Sequence, residues 1–145
     1  MIKRHFFNDV HDTVEGALGG FKSAPNVRTH ERGCKVCFGD ETKEHYEAQL
    51  IRVGGDIVLE VGFHCEYRDR ATNLQTIKRL TASTTWRDEL GDEAVAGDFI
   101  GNKTWQRISE VWTFDDDPDL AIDVGLRLAE YVVVIEALRH RPTTL

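Results

Sequence analysis

The sequence predicts an α+β fold, an antiparallel sheet with helices in the order α-β-β-β-α-β-β-α. Three observations carry that expectation. Residues 44–67 alternate apolar and polar side chains on both sides of Gly54-Gly55. Leu120, Val124, Leu128, Tyr131, Ile135 and Leu138 recur at helical spacing towards one end of the chain, and Phe6, Val10, Val14, Ala17 or Leu18, and Phe21 do so towards the other. With 145 residues, the chain is long enough for one domain, 1–145, whose core needs neither disulfide nor metal.

The first helix is expected over residues 4–18, because Asp9, Asp12 and Glu15 fall off the apolar stripe and Gly19-Gly20 offers a stop. From Phe21 to Gly33 the pattern dissolves, which reads as a connector, and Lys35 to Phe38 reads as a short strand. The central hairpin, 44–67, is the most specific signal. If Gly54 and Gly55 form a two-residue loop, Leu50 faces Leu59, Ala48 faces Val61 and Tyr46 faces Phe63, all on one side of the sheet. The opposite side then pairs Gln49 with Glu60, Glu47 with Gly62 and His45 with His64. A slip of one residue would mix the two sets, so the turn and the alternation support each other.

After Asp69, Leu74, Ile77 and Leu80 or Thr81 predict a helix that weakens in the Thr- and Ser-rich stretch 81–85; Thr85 with Asp88 can cap a short second piece ending at Leu90. Residues 95–100 and 104–114 read as two strands turning at Gly101-Asn102. The last helix has Asp117 as its expected N-cap, Pro118 at the first helical position, Arg139, His140 and Arg141 in the last turn and Pro142 as a stop. Val132 and Val133 widen its apolar arc, which makes them candidates for contact with a second subunit.

The net charge of −7 is spread through the chain without a basic stripe, so neither nucleic acid nor an anionic membrane surface is an expected partner. Three cysteines cannot all pair, and no apolar run suits a signal peptide or a membrane span, so a cytoplasmic location is expected.

Two groups of residues have metal-ligand chemistry. Cys34-Lys35-Val36-Cys37 has the spacing of half a zinc knuckle that His64 and Cys65 would have to complete. Those two are neighbours on a strand and point to opposite faces, which favours ordinary buried thiols at Cys34, Cys37 and Cys65. The hairpin register groups His45, His64, Glu47 and Glu60, with Glu66 nearby, as a candidate site for a divalent metal such as zinc or for acid and base groups. The preferred competing reading is a solvated hairpin face on which polar residues gather for that reason alone. Asp56 and Glu60 have the spacing of the acidic pair of restriction-type nucleases, but Gly62 stands where the lysine belongs. Trp86, Trp105 and Trp112 read as core rather than a stacking platform, and Asp115-Asp116-Asp117 as helix capping rather than a calcium loop.

No phosphate loop, dinucleotide fingerprint, nucleophile elbow or two-histidine zinc helix occurs, which favours a non-enzyme without cofactor. The order of elements, the acidic charge and the size resemble the type III secretion chaperone-like fold that also houses the YbjN-type regulators. That resemblance implies a homodimer presenting a groove to another protein. The leading expectation is therefore a small protein-binding module, a chaperone, regulator or accessory factor. The alternative is a metal-dependent hydrolase built on His45, His64, Glu47 and Glu60.

Overall fold

Gly54, at φ +61°, turns the chain back between two ten-residue strands. A left-handed backbone at this position suits glycine, which has no Cβ to clash. The computed structural model describes residues 2–140 and, of their side chains, those from His5 onward. Its elements are α1 (Ile2–Ala17), β1 (Pro25–His30), β2 (Gly33–Phe38), β3 (Glu44–Val53), β4 (Asp56–Cys65), α2 (Arg70–Leu80), α3 (Thr85–Leu90), β5 (Val95–Phe99), β6 (Asn102–Thr113) and α4 (Leu120–Arg139). The hairpin has the expected register, with Leu50 opposite Leu59, Tyr46 opposite Phe63, Gln49 opposite Glu60 and His45 opposite His64.

The six strands form one antiparallel sheet in the order β1-β2-β3-β4-β6-β5, so the α+β class is as predicted. The element order differs in two places. Residues 25–30, within the stretch that reads as a connector, form an edge strand that pairs along its whole length with β2. Most of its side chains are exposed, so its backbone ladder holds it without leaving an apolar alternation in the sequence. The second helix is broken into α2 and α3, as the Thr- and Ser-rich stretch foreshadows.

The helices pack on the apolar face of the sheet. Phe7, Val10 and Val14 of α1, Ile77 and Leu80 of α2, Trp86 and Leu90 of α3, and Val124, Leu128, Tyr131 and Ile135 of α4 join Tyr46, Ala48, Leu59, Val61 and Phe63 in one core. Each such large apolar side chain contributes about 1.5–3 kcal/mol when fully buried. At the crossing of α1 and α4, a Cβ on Gly125 would lie 2.7 Å from Cβ of Thr13, so the absent side chain sets how closely the helices approach.

The start of α4 departs from expectation. Pro118 belongs to a turn in which the Asp117 carboxylate accepts from the Asp119 amide at 2.9 Å and the Asp117 carbonyl from Leu120 N at 3.1 Å; the helix begins at Leu120. Arg141 and Pro142 lie outside the described residues. Of the two valines considered for a subunit contact, Val132 is buried in the core and unavailable, whereas Val133 is 51% exposed. Among the described residues no helix is long and apolar enough to cross a membrane.

Candidate functional site

The face of the hairpin opposite the helices carries His45, Glu47, Gln49, Glu60, Gly62 and His64, and it is not the solvated surface that a hairpin commonly offers. His45, Glu60 and His64 are completely buried and Glu47 is nearly so. The cover comes from the sheet itself. His30 of β1 reaches across Gly33, where a Cβ would come within 2.9 Å of the imidazole. From the far edge, the register shift between Asp98 and Phe99 brings the Phe99 ring edge-on to His64, with centroids 4.9 Å apart, and Trp105 packs behind it.

Within this enclosure each imidazole has one nitrogen committed to a partner outside the cluster. His45 Nδ1 donates to the Thr42 carbonyl at 2.8 Å, and His64 Nε2 donates to the Glu60 carboxylate at 2.7 Å. Those acceptors select the tautomers and leave the lone pairs of His45 Nε2 and His64 Nδ1 for the centre. Two carboxylate oxygens meet them. Glu47 Oε1 lies 3.3 Å from His45 Nε2 and 3.5 Å from His64 Nδ1, and Glu66 Oε2 lies 3.4 and 3.6 Å from the same two nitrogens.

These four separations are four of the six that a tetrahedron of donors would have. A tetrahedral zinc with bonds of about 2.0–2.1 Å requires donor atoms about 3.3–3.4 Å apart, and all four donors here lie within 4.8 Å of one another. Among the described residues His64 Nδ1 is a buried polar atom without a hydrogen-bond partner, a condition that costs about 1–3 kcal/mol unless something satisfies it. The residues therefore fit a divalent ion, with two neutral imidazoles and two carboxylates as donors.

The surrounding contacts complete the pattern. Glu47 uses its second oxygen to accept from His30 Nε2 at 3.1 Å, and Glu60 also accepts from Gln49 Nε2 at 3.1 Å. Without a metal, burial would push the Glu47 carboxyl up, but the hydrogen bond from His45 and the adjacent His64 imidazole outweigh it and hold that group far below the usual carboxylate range. Burial likewise opposes charge on His64, yet the Glu60 carboxylate, to which Nε2 donates, and the nearby Glu47 carboxylate raise it to about 10. The cluster therefore has a strong demand for positive charge, which two protons or one divalent ion can meet.

No family model, curated protein or solved structure matches this chain.

Three of the four residues expected as ligands, His45, Glu47 and His64, converge with their donor atoms. The fourth, Glu60, stands behind His64 as its hydrogen-bond partner, and the Glu66 carboxylate faces the two ring nitrogens instead. Period-two alternation continued past Cys65 puts Glu66 on the same face as His64, a signal available in the sequence. His30 carries no such signal, because its strand has the pattern of a connector. The cysteines do not assemble a site: no metal-capable group among the described residues contains one, and Cys34 and Cys65 lie in the apolar core. Burial pushes the thiols of Cys34 and Cys65 up to about 12. Asp56 sits exposed at the hairpin turn, away from the buried Glu60, so the nuclease-like pair does not form a site. The tryptophans go to separate places, Trp86 to the core, Trp105 against Phe99 and Trp112 to the Glu110 carboxylate at 2.7 Å.

Proposed function

We propose that this protein binds one divalent metal ion of the zinc class through His45, Glu47, His64 and Glu66. The observation that carries the reading is His64 Nδ1, a buried nitrogen without a hydrogen-bond partner among the described residues, facing two carboxylate oxygens at 3.5 and 3.6 Å. Stability alone is a poor reason for this arrangement, because burying imidazoles and carboxylates together costs several kcal/mol per charge and a well-packed apolar cluster is often as stable. A shared cation gives every one of these groups a partner.

Metal content and thermal unfolding of the purified chain test the proposal. The wild type takes up one equivalent of zinc, and at free zinc about 100 times the Kd the folded state gains about 2.7 kcal/mol. The His64→Ala variant takes up none. Wild-type protein without stoichiometric metal, whose melting does not change on adding zinc, contradicts the reading.

A second reading, a protein-binding module that forms a homodimer, is supported by Ile122, Leu126 and Val133, which lie along one side of α4 with 48%, 48% and 51% of their surface exposed. It agrees with the resemblance to secretion chaperones. A second copy of the same face is the occupant that two-fold symmetry favours. The molar mass in solution decides it: a dimer that Leu126→Glu converts to monomer supports the reading, and a monomeric wild type at high concentration removes it.

A further inference from the structure

Three of the four donor groups are anchored from behind. His45 is held by the Thr42 carbonyl at 2.8 Å, His64 by Glu60 at 2.7 Å and Glu47 by His30 at 3.1 Å. Glu66 differs. Among the described residues its carboxylate meets only the two imidazoles, at 3.4 and 3.6 Å. Its side chain is 19% exposed, against none for the histidines and 7% for Glu47. It is also the first residue beyond the strand ladder, which ends where Glu44 pairs with Cys65. The Glu66 backbone amide still donates to the Lys43 carbonyl at 2.8 Å, so its main chain is held while its carboxylate has no outer contact among the described residues.

Metal ligands are oriented by their outer contacts, and those contacts distinguish fixed donors from exchangeable ones. Closed structural zinc sites fix four protein donors, whereas reactive sites fix three and leave the fourth position to water or substrate. We infer that Glu66 is the exchangeable ligand of this centre, so that His45, His64 and Glu47 form a fixed base whose fourth position opens to water or a small anion. The inference rests on the metal-binding reading and adds to it the kind of site. In the exchange the incoming ligand donates a lone pair to the metal and Glu66 leaves as a carboxylate; no other bond changes. Two imidazoles, one carboxylate and an open position form the donor set from which a metal polarises a carbonyl or phosphoryl oxygen or activates water. The ligand class that enters is thus a small oxygen or nitrogen donor from the solvent side of Glu66.

The test uses the full chain loaded with cobalt(II), whose visible absorption reports coordination, and sodium azide as the incoming ligand. Glu66→Gln is expected to retain one equivalent of cobalt with affinity within about tenfold of wild type, whereas Glu47→Gln loses more than an outer contact contributes, about 100-fold. Azide shifts the absorption of the Glu66→Gln protein at lower concentration than that of the wild type. Equal loss of cobalt in both variants, or an azide-insensitive spectrum in Glu66→Gln, overturns the inference while leaving metal binding intact. Should Glu66→Gln not fold, azide titration of the wild type decides between the same alternatives, because displacement of Glu66 changes the spectrum and a fourth fixed donor does not. Wild-type protein that binds no cobalt removes the metal-binding reading itself.

Discussion

Glu60 Oε2 lies 2.7 Å from His64 Nε2 although the two residues are four apart on one strand, and Gly62 stands between them on the same face. The two side chains lean towards each other along the strand, over the position of Gly62. A Cβ there would lie 2.4 Å from the Ile108 carbonyl and 2.6 Å from Ser109 Cα, and its φ of +154° is unfavourable for other residues. Gly62→Ala is therefore expected to destabilise the fold by about 1–3 kcal/mol through overpacking in the metal-free protein. Urea unfolding checks this; an unchanged midpoint contradicts the close approach.

Glu60 accepts a hydrogen bond from the protonated nitrogen of His64 and so aims the other nitrogen at the centre. Glu60→Gln keeps the shape and weakens the acceptor, and a loss of about 10–100-fold in zinc affinity is expected. Competition with a chromophoric chelator measures it. If Glu60→Gln abolishes binding as completely as His64→Ala, Glu60 is a ligand and not a positioning residue.

Glu110 offers a pH test away from the centre. Its carboxylate accepts from Arg127 Nη2 at 2.7 Å, Tyr131 Oη at 2.6 Å and Trp112 Nε1 at 2.7 Å, and Arg127 also donates to the Leu90 carbonyl. Burial would raise the Glu110 carboxyl, but those hydrogen bonds outweigh it and lower it. A carboxyl depressed in the folded state contributes stability that is fully present above the unfolded value, about 4.3, and is lost as the pH falls through the folded value. Chemical denaturation from pH 7 down to 3 should show wild type losing its advantage over Glu110→Gln below about pH 4.3. A constant difference across that range contradicts the assignment. Removing Arg127 instead, as Arg127→Ala, strands the buried carboxylate and should cost about 3–5 kcal/mol.

The cysteines provide a control. With Cys34 and Cys65 in the core and their thiols raised to about 12, a thiol reagent at pH 8 should label them only as fast as the protein unfolds. Cys34→Ala and Cys65→Ala should retain stoichiometric zinc. Loss of zinc in either would bring the knuckle spacing back into consideration.

Much of the architecture is legible in the sequence because several signals coincide in it. The glycine turn and the alternation of residues 44–65 admit one register, and Leu120, Val124, Leu128, Tyr131 and Ile135 admit one face of a helix. The burial of the polar hairpin face is not legible, because alternation reads the same whether the second face meets water or is enclosed. What encloses it is non-local: His30 from an edge strand with almost no apolar pattern, and Phe99 redirected by a register shift. The choice between Glu60 and Glu66 as donor is hidden for a related reason. Strand parity places both on the same face, and only the bend of side chains over Gly62 turns Glu60 back onto His64. The beginning of α4 escapes the sequence because Asp117 bonds the Asp119 amide in a turn that precedes the helix, and a cap and such a turn have the same residues.

Everything proposed for the buried cluster requires that His45 Nε2, His64 Nδ1 and Glu47 Oε1 share one metal ion. Zinc-soaked crystals measured on both sides of the zinc absorption edge would locate that ion. One anomalous peak is expected about 2.0–2.2 Å from His45 Nε2, His64 Nδ1 and Glu47 Oε1, with Glu66 Oε2 or a solvent ligand completing the tetrahedron. Ordered zinc elsewhere with this cluster empty, or no anomalous signal at saturating zinc, would contradict the shared ion.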